Sequence, residues 1–232
     1  MKKVLILVFV SLFVLFTENA FADLMITNGG FEDGLTGWST QGYVAALGTD
    51  KGISPTEGSY QAVMSYIPHL LSQYPERSYW YLGSNLWQEF SIDPALYTEA
   101  TISFDYNLWG NDWKSVDWGA DYFSVTYDTT ELLRVYWKDL YGGSPTVLGW
   151  HTFSATLPAS ELSGPGTLKF HVENFHNPCD DPYSSIGDPH HDFIAYIDNV
   201  SIDATPVPAP GAVILCSIGI GFAGWLCRRR TP

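Results

Sequence analysis

The sequence predicts an all-β fold, an antiparallel sandwich of short strands, and three observations carry that expectation. Alternating or β-branched and aromatic runs recur between Gly, Pro, Asn and Asp, no stretch of the central chain keeps a helical period, and no segment repeats another. Eight runs qualify as strands: 60–66, 85–92, 100–107, 122–128, 131–137, 149–157, 167–174 and 193–202. The clearest alternations place Ile102, Phe104 and Tyr106 on one face of their strand and Phe123, Val125 and Tyr127 on one face of theirs. Asp128-Thr129-Thr130 supplies a hairpin turn between its flanking strands. Trp38 and Trp150 read as core residues, and His171, mid-strand, reads as structural.

The two ends of the chain fall outside that pattern. Met1-Lys2-Lys3, an apolar run from Val4 to Phe16 broken only by Ser11, and Ala20-Phe21-Ala22 form a basic, apolar and small-x-small series, which reads as a secretory signal over 1–22 with a mature start at Asp23. At the other end come Thr205-Pro206-Val207-Pro208-Ala209-Pro210-Gly211, an uncharged apolar run from Ala212 to Cys227, and Arg228-Arg229-Arg230. Proline cannot donate to a ladder, so the folded part is expected to stop before Pro206. As a helix the apolar run is about 24 Å long, a marginal membrane span, and the arginines would hold its far end on the cytoplasmic side. This order resembles the PEP-CTERM sorting signal of Gram-negative bacteria, with Val207, Pro208, Ala209 and Pro210 as the motif and Ala209 where glutamate is common. The resemblance implies transient anchoring of 206–232 in the inner membrane, processing by an exosortase, and delivery to the cell surface or extracellular matrix. An ordinary single-span tail anchor is the plainer alternative.

Between Asp23 and Thr205, one domain's length, six basic residues face twenty-four acidic ones, a net charge of −18. Such a field repels nucleic acid and anionic membranes and favours cations. Cys216 and Cys227 lie in the tail, so Cys179 has no partner for a disulfide within the domain, and a cysteine-based zinc site lacks ligands.

Several strand segments resemble the galactose-binding-like jelly roll of carbohydrate-binding modules. Ile26-Thr27-Asn28-Gly29-Gly30-Phe31-Glu32 with Gly37-Trp38 is similar to its first motif, and Glu57-Gly58-Ser59-Tyr60 to the strand entry that follows. Trp87-Gln88-Glu89-Phe90, Ile102 to Tyr106, Gly149 to Phe153 and Tyr196-Ile197-Asp198-Asn199-Val200-Ser201-Ile202 then come in the same order, so the resemblance covers nearly all of 23–205. It implies a jelly-roll β-sandwich with first and last motifs side by side and a structural Ca2+ held by Glu32, Asp198 and backbone carbonyls. Calcium takes six to eight oxygen ligands in irregular geometry, and glycines such as Gly29 and Gly30 let carbonyls turn toward it. The alternative is that both carboxylates only accept backbone hydrogen bonds.

Eight tryptophans lie outside the tail, more than packing such a domain needs. The segment 107–118 offers aromatic rings beside amides and acids, which suits sugar stacking and hydroxyl binding, and it nominates Trp109, Asn111, Asp112, Trp113, Asp117 and Trp118 as ligand residues. Local packing or a protein contact is the other reading of that loop. The stretch His176 to Asp192 gathers histidines and acids that could meet a second metal, but their spacing matches no metal motif. No nucleophile elbow, zincin helix or phosphate loop occurs, and no pair among Asp105, Asp112, Asp117 and Asp121 is singled out for glycoside cleavage. The sequence therefore points to an exported, non-catalytic protein that binds extracellular polysaccharide. A structural or adhesive matrix protein and a carbohydrate-active hydrolase or lyase are the alternatives.

Overall fold

The computed structural model describes residues 25–65, 80–110, 121–140, 146–162, 164–176 and 193–207. Within them run β1 (Ser39–Gln41), β2 (Tyr43–Leu47), β3 (Gln61–Ser65), β4 (Trp80–Phe90), β5 (Tyr97–Gly110), β6 (Tyr122–Tyr127), β7 (Thr130–Tyr136), β8 (Thr146–Val147), β9 (His151–Pro158), β10 (Gly166–His176) and β11 (Phe193–Pro206), with one helical turn at Trp137–Leu140. Five strands form one sheet in the order β1-β4-β10-β6-β7, and the other runs β2-β3-β11-β5-β8, with β9 also paired to β5. Every pairing is antiparallel. Neighbours distant in sequence, such as β4 beside β10 and β3 beside β11, make this a jelly-roll β-sandwich.

The core lies where the inward rows of the two sheets meet. From β5 it takes Ala100, Ile102, Phe104 and Leu108, from β6 Phe123, Val125 and Tyr127, and from β10 Leu168, Phe170 and Val172. Phe104 stacks on Phe153 at 4.9 Å and meets Phe170 edge-on at 5.1 Å, geometries that aromatic quadrupoles favour. In β11 the inward set changes parity, from Phe193, Ala195 and Ile197 to Val200, Ile202 and Ala204. One extra residue between the Asp198–Asp105 and Ser201–Ser103 pairs, with Asn199 at φ 51°, makes the switch.

All eight expected strands are present. Three short ones, β1, β2 and β8, go beyond them. Trp137 opens the helical turn instead of ending a strand, and its buried ring packs on Phe193. Asp128, at φ 49°, makes the expected hairpin turn between β6 and β7. Pro206 corrects an expectation: it closes β11 opposite Tyr97, a last position where no N–H is required, and Val207 N then donates to Leu96 O at 2.7 Å. Trp150 corrects another. It packs in a second cluster, with Ile53, Val63, Ile194 and Tyr196, on the outer face of the six-stranded sheet.

The first motif folds into a compact cap. Asn28 Nδ2 donates to the carbonyls of Gly34 and Thr36, its Oδ1 accepts from Asp33 N, and Gln88 bonds both backbone groups of Thr27. Phe31, Ile26 and Trp38 are thereby buried, with Trp38 packed on Phe31 and Phe170. Val200 N donates to Gly29 O at 3.0 Å, which sets the first and last motifs side by side as the resemblance implies. Gly29 must be glycine at this approach, because a Cβ would fall on the Val200 carbonyl.

Candidate functional site

Two regions carry the polar chemistry. The first is a clasp on the loop between β2 and β3. Asp198 is fully buried; its Oδ2 accepts from Thr56 N at 2.9 Å and Glu57 N at 3.2 Å, and its Oδ1 from Asn199 N at 2.9 Å. Glu32 Oε1 accepts from Ser59 N at 2.8 Å and Tyr60 N at 3.0 Å. The two carboxylates nominated by sequence therefore hold one pentapeptide from its two ends, with Gly58 between the grips. Gly58 sits at φ +63°, and a Cβ on it would fall on the Glu32 carboxylate.

Asp105 joins the same clasp, a residue the sequence offered only as one acid among several. It lies directly opposite Asp198 in register, accepts from Thr152 Oγ1 at 2.6 Å through Oδ1 and from Asn199 Nδ2 at 3.0 Å through Oδ2. Thr56 Oγ1 lies 3.0 Å from Asp105 Oδ2 and 3.0 Å from Asp198 Oδ2, but its one proton serves one of them at a time. No lysine, arginine or histidine among the described residues forms an ion pair with either aspartate. Burial accordingly pushes the Asp198 carboxyl above its ordinary range, while hydrogen bonds from Glu57, Asn199 and Thr56 pull the other way.

A buried carboxylate without a cationic partner is the circumstance in which a cation stabilises most. The donor set suits calcium: all oxygens, with Glu32 Oε2 accepting no hydrogen bond among the described residues. No group of three His, Cys, Asp or Glu side chains placed to hold a metal occurs there, so the remaining ligands would be carbonyls and water.

The second region is the outer face of the five-stranded sheet, which the sequence reading missed. Three rows cross it in register. The first is Ser39, Trp87, Lys169, Thr126 and Glu131; the second is Gln41, Asn85, His171, Ser124 and Arg134; the third is Gly83, Glu173, Tyr122 and Tyr136. Polar contacts link the strands: Asn85 Nδ2 donates to Gln41 Oε1 at 3.1 Å, His171 Nδ1 lies 2.9 Å from Asn85 Oδ1, and His171 Nε2 lies 2.8 Å from Glu173 Oε2. Tyr122 packs against His171 at 5.5 Å and Tyr136 at 5.9 Å, with the Arg134 guanidinium 4.4 Å above its ring. Burial, and after it the Glu173 charge, push the Tyr122 hydroxyl above its ordinary range, so it stays a donor. His171, expected to be structural, faces outward at the centre of this face.

Of the nominated ligand residues, only Trp109 lies among the described ones. It stands on the outer face of the opposite, six-stranded sheet, packed against the second cluster, with Lys51 Nζ 4.2 Å from its ring centroid. Asn111, Asp112, Trp113, Asp117 and Trp118 lie outside the described residues, as do nearly all of the His176 to Asp192 stretch, the signal segment, and Pro208, Ala209, Pro210 and the apolar tail. Val207 is exposed where the sandwich ends. Among the described residues no helix is long and apolar enough to cross a membrane.

No family model matches the chain, and no curated protein does. Solved structures are similar to it at low identity. TmCBM61 in complex with β-1,4-galactotriose is 14% identical, over 78% of this chain and 98% of that one, with a TM-score of 0.42. A family 16 carbohydrate-binding module is 14% identical over 77% and 98%, with a TM-score of 0.41. A Stig cyclase from Fischerella sp. TAU is 17% identical over 80% and 98%, with a TM-score of 0.42.

Proposed function

We propose that this chain is an exported, non-catalytic glycan-binding protein whose ligand lies across the outer face of the five-stranded sheet. One observation carries the reading. Trp87, Tyr122 and Tyr136 alternate there with the amides of Gln41 and Asn85 and the charged or ionisable groups of His171, Glu173, Arg134 and Lys169. Five strands at about 4.8 Å spacing make a platform roughly 19 Å wide, enough for a short oligosaccharide. Rings supply stacking surfaces and the polar groups address hydroxyls, the combination a sugar site requires. The other outer face differs: Thr101–Thr156 and Ser103–Ser201 satisfy each other's hydroxyls, and its described rings Trp109, Trp150 and Tyr196 are packed in the second cluster. Retention of the purified full-length chain in gels containing polysaccharide, compared with its Trp87→Ala form, tests the proposal. Equal mobility with and without every polysaccharide, or equal retention of the variant, overturns it.

Calcium belongs to the proposal as a structural ion bridging Glu32 and Asp198, where it would offset the buried charge and fix the 56–60 loop; it would take no part in ligand contact. The sorting reading also belongs here: the signal over 1–22, the domain over 23–205, and exosortase processing at 206–232 after passage through the inner membrane. Mass spectrometry of the protein from its producing cell tests it, since a mature chain starting at Asp23 and lacking the arginine tail is expected. A chain retaining Arg228 to Arg230 would leave an anchored protein.

A further inference from the structure

We infer that the glycan bound on the five-stranded sheet is uncharged, a neutral hydroxyl-rich polysaccharide as opposed to a uronate or sulfated polyanion; this rests on the reading of that face as a glycan site. Charge is unevenly spread over the described residues. Of their four lysines and arginines, Arg134, Lys138 and Lys169 lie on or at the edge of this face, with Glu89, Glu131 and Glu173 on it and Asp128 and Asp139 at its edge. Lys51 alone accompanies the other eleven acids. The face is thus less acidic than the rest of a strongly negative domain but not cationic, and a polyanion approaching it meets the field of the whole domain.

The cations of this face are also committed. The Arg134 guanidinium is bonded to Glu131 Oε2 through Nε at 2.8 Å and Nη2 at 2.6 Å, and lies against Tyr122 and Tyr136. That uses the fork with which arginine would grip a carboxylate or sulfate. Lys138 Nζ sits 5.1 Å from the Tyr136 ring centroid. Among the described lysines and arginines of this face only Lys169, beside Trp87 in register, has no such partner, and one ammonium does not make an anion-binding track.

What the face does offer is an acceptor. Glu173 Oε2 faces His171, but Glu173 Oε1 is buried and has no hydrogen-bond partner. A buried carboxylate oxygen without a donor is costly, so it invites one. A sugar hydroxyl is a donor; another carboxylate or a sulfate at this point would add repulsion. Gly83, opposite Glu173 in register, lets the His171 ring and the Glu173 carboxylate lie directly over its backbone: a Cβ there would stand 2.5 Å from His171 Cε1 and 3.2 Å from Glu173 Oε2. The terminal torsion of a glutamate is soft enough to turn Oε1 toward an arriving ligand.

The test is gel retention of the full-length chain on neutral polysaccharides (a galactan, a glucan, a mannan) and on polyanions (polygalacturonate, alginate, dextran sulfate), at about 0.02 and 0.5 M salt. The expected result is retention on at least one neutral polymer, changing little with salt, and none on the polyanions. Glu173→Gln should weaken the neutral interaction on the order of tenfold. Salt-sensitive retention on polyanions alone would overturn the uncharged-ligand inference and leave the glycan site standing. Neutral retention that Glu173→Gln does not alter would overturn the role of Glu173. Retention on neither class would remove the glycan site itself.

Discussion

Replacing Trp109 and Trp87 separately by alanine distinguishes two placements of the ligand surface, because the two rings lie on opposite outer faces and have opposite jobs. Trp109 is half-buried against the cluster of Ile53, Val63, Ile194 and Tyr196, with Lys51 over its ring. A fully buried Trp→Ala change costs about 3–5 kcal/mol, so a half-buried ring forfeits about 2 kcal/mol. The exposed cation–π contact adds about 0.5–1 kcal/mol. A loss of about 2–3 kcal/mol in a domain of this size lowers Tm by roughly 4–12 °C. Trp87 belongs to neither hydrophobic cluster, so its removal should cost about 1 kcal/mol or less and move Tm by only about 2–4 °C. Glycan retention should respond the other way: near wild type for Trp109→Ala, and about tenfold weaker for Trp87→Ala as a stacking surface is lost. Calorimetry and gel retention on the same full-length samples read both effects. If Trp109→Ala abolished retention with an unchanged Tm while Trp87→Ala did neither, the sheet-face assignment would be refuted and the 107–118 segment restored as the ligand surface.

Gly58→Ala should destabilise by about 2–4 kcal/mol, since it demands a left-handed alanine and displaces Glu32 from the Ser59 and Tyr60 amides; an unchanged denaturation midpoint would show that the clasp contributes little. Calcium should raise Tm and a chelator lower it, and Asp198→Asn should remove the difference; a chelator effect undiminished in Asp198→Asn would move the ion elsewhere. Because burial raises the Asp198 pKa above its unfolded value, its proton is bound more tightly in the folded state. The contribution is therefore present below the unfolded value, near 4, and lost as pH rises through the raised folded value. In chelator, the wild-type Tm minus that of Asp198→Asn should fall over that rise; a difference that grew with pH would reverse the assigned sign.

The sandwich was legible in the sequence because its signal is local. Alternation in 100–107 and 122–128 follows directly from the pleat, so the buried rows could be named residue by residue. The three strands not anticipated are two to five residues long, too short for alternation to separate them from loop. The bulge at Asn199 was also invisible: a single extra residue changes which side chains face inward without altering composition. Glu32 and Asp198 could be nominated because the motifs that contain them are distinctive, whereas Asp105 joins them only through strand register, which no local word encodes.

The outer face of the five-stranded sheet escaped notice for the same physical reason. Its rows draw one side chain from each strand, so the residues that meet there are scattered from Ser39 to Glu173, and only the 107–118 segment concentrates rings and acids along the chain. Contiguity favours loops as site candidates, while a sheet assembles its sites across the chain. The six-stranded sheet turns its outer face to the 48–60 loop, which Tyr196 and Trp150 hold through bonds to Asp50 and Ser54 and which the two clasp carboxylates grip. That part of the face is occupied by the protein's own loop. The five-stranded sheet carries Trp87, Tyr122, Asn85 and an unsatisfied Glu173 oxygen on a face where the polar contacts of Asn85, His171 and Glu173 among the described residues run within and between its own strands. On the proposed glycan reading, the clasp serves stability and the five-stranded sheet serves recognition, so substitutions in the clasp should change Tm without changing ligand preference, and substitutions at Trp87 or Glu173 should do the reverse.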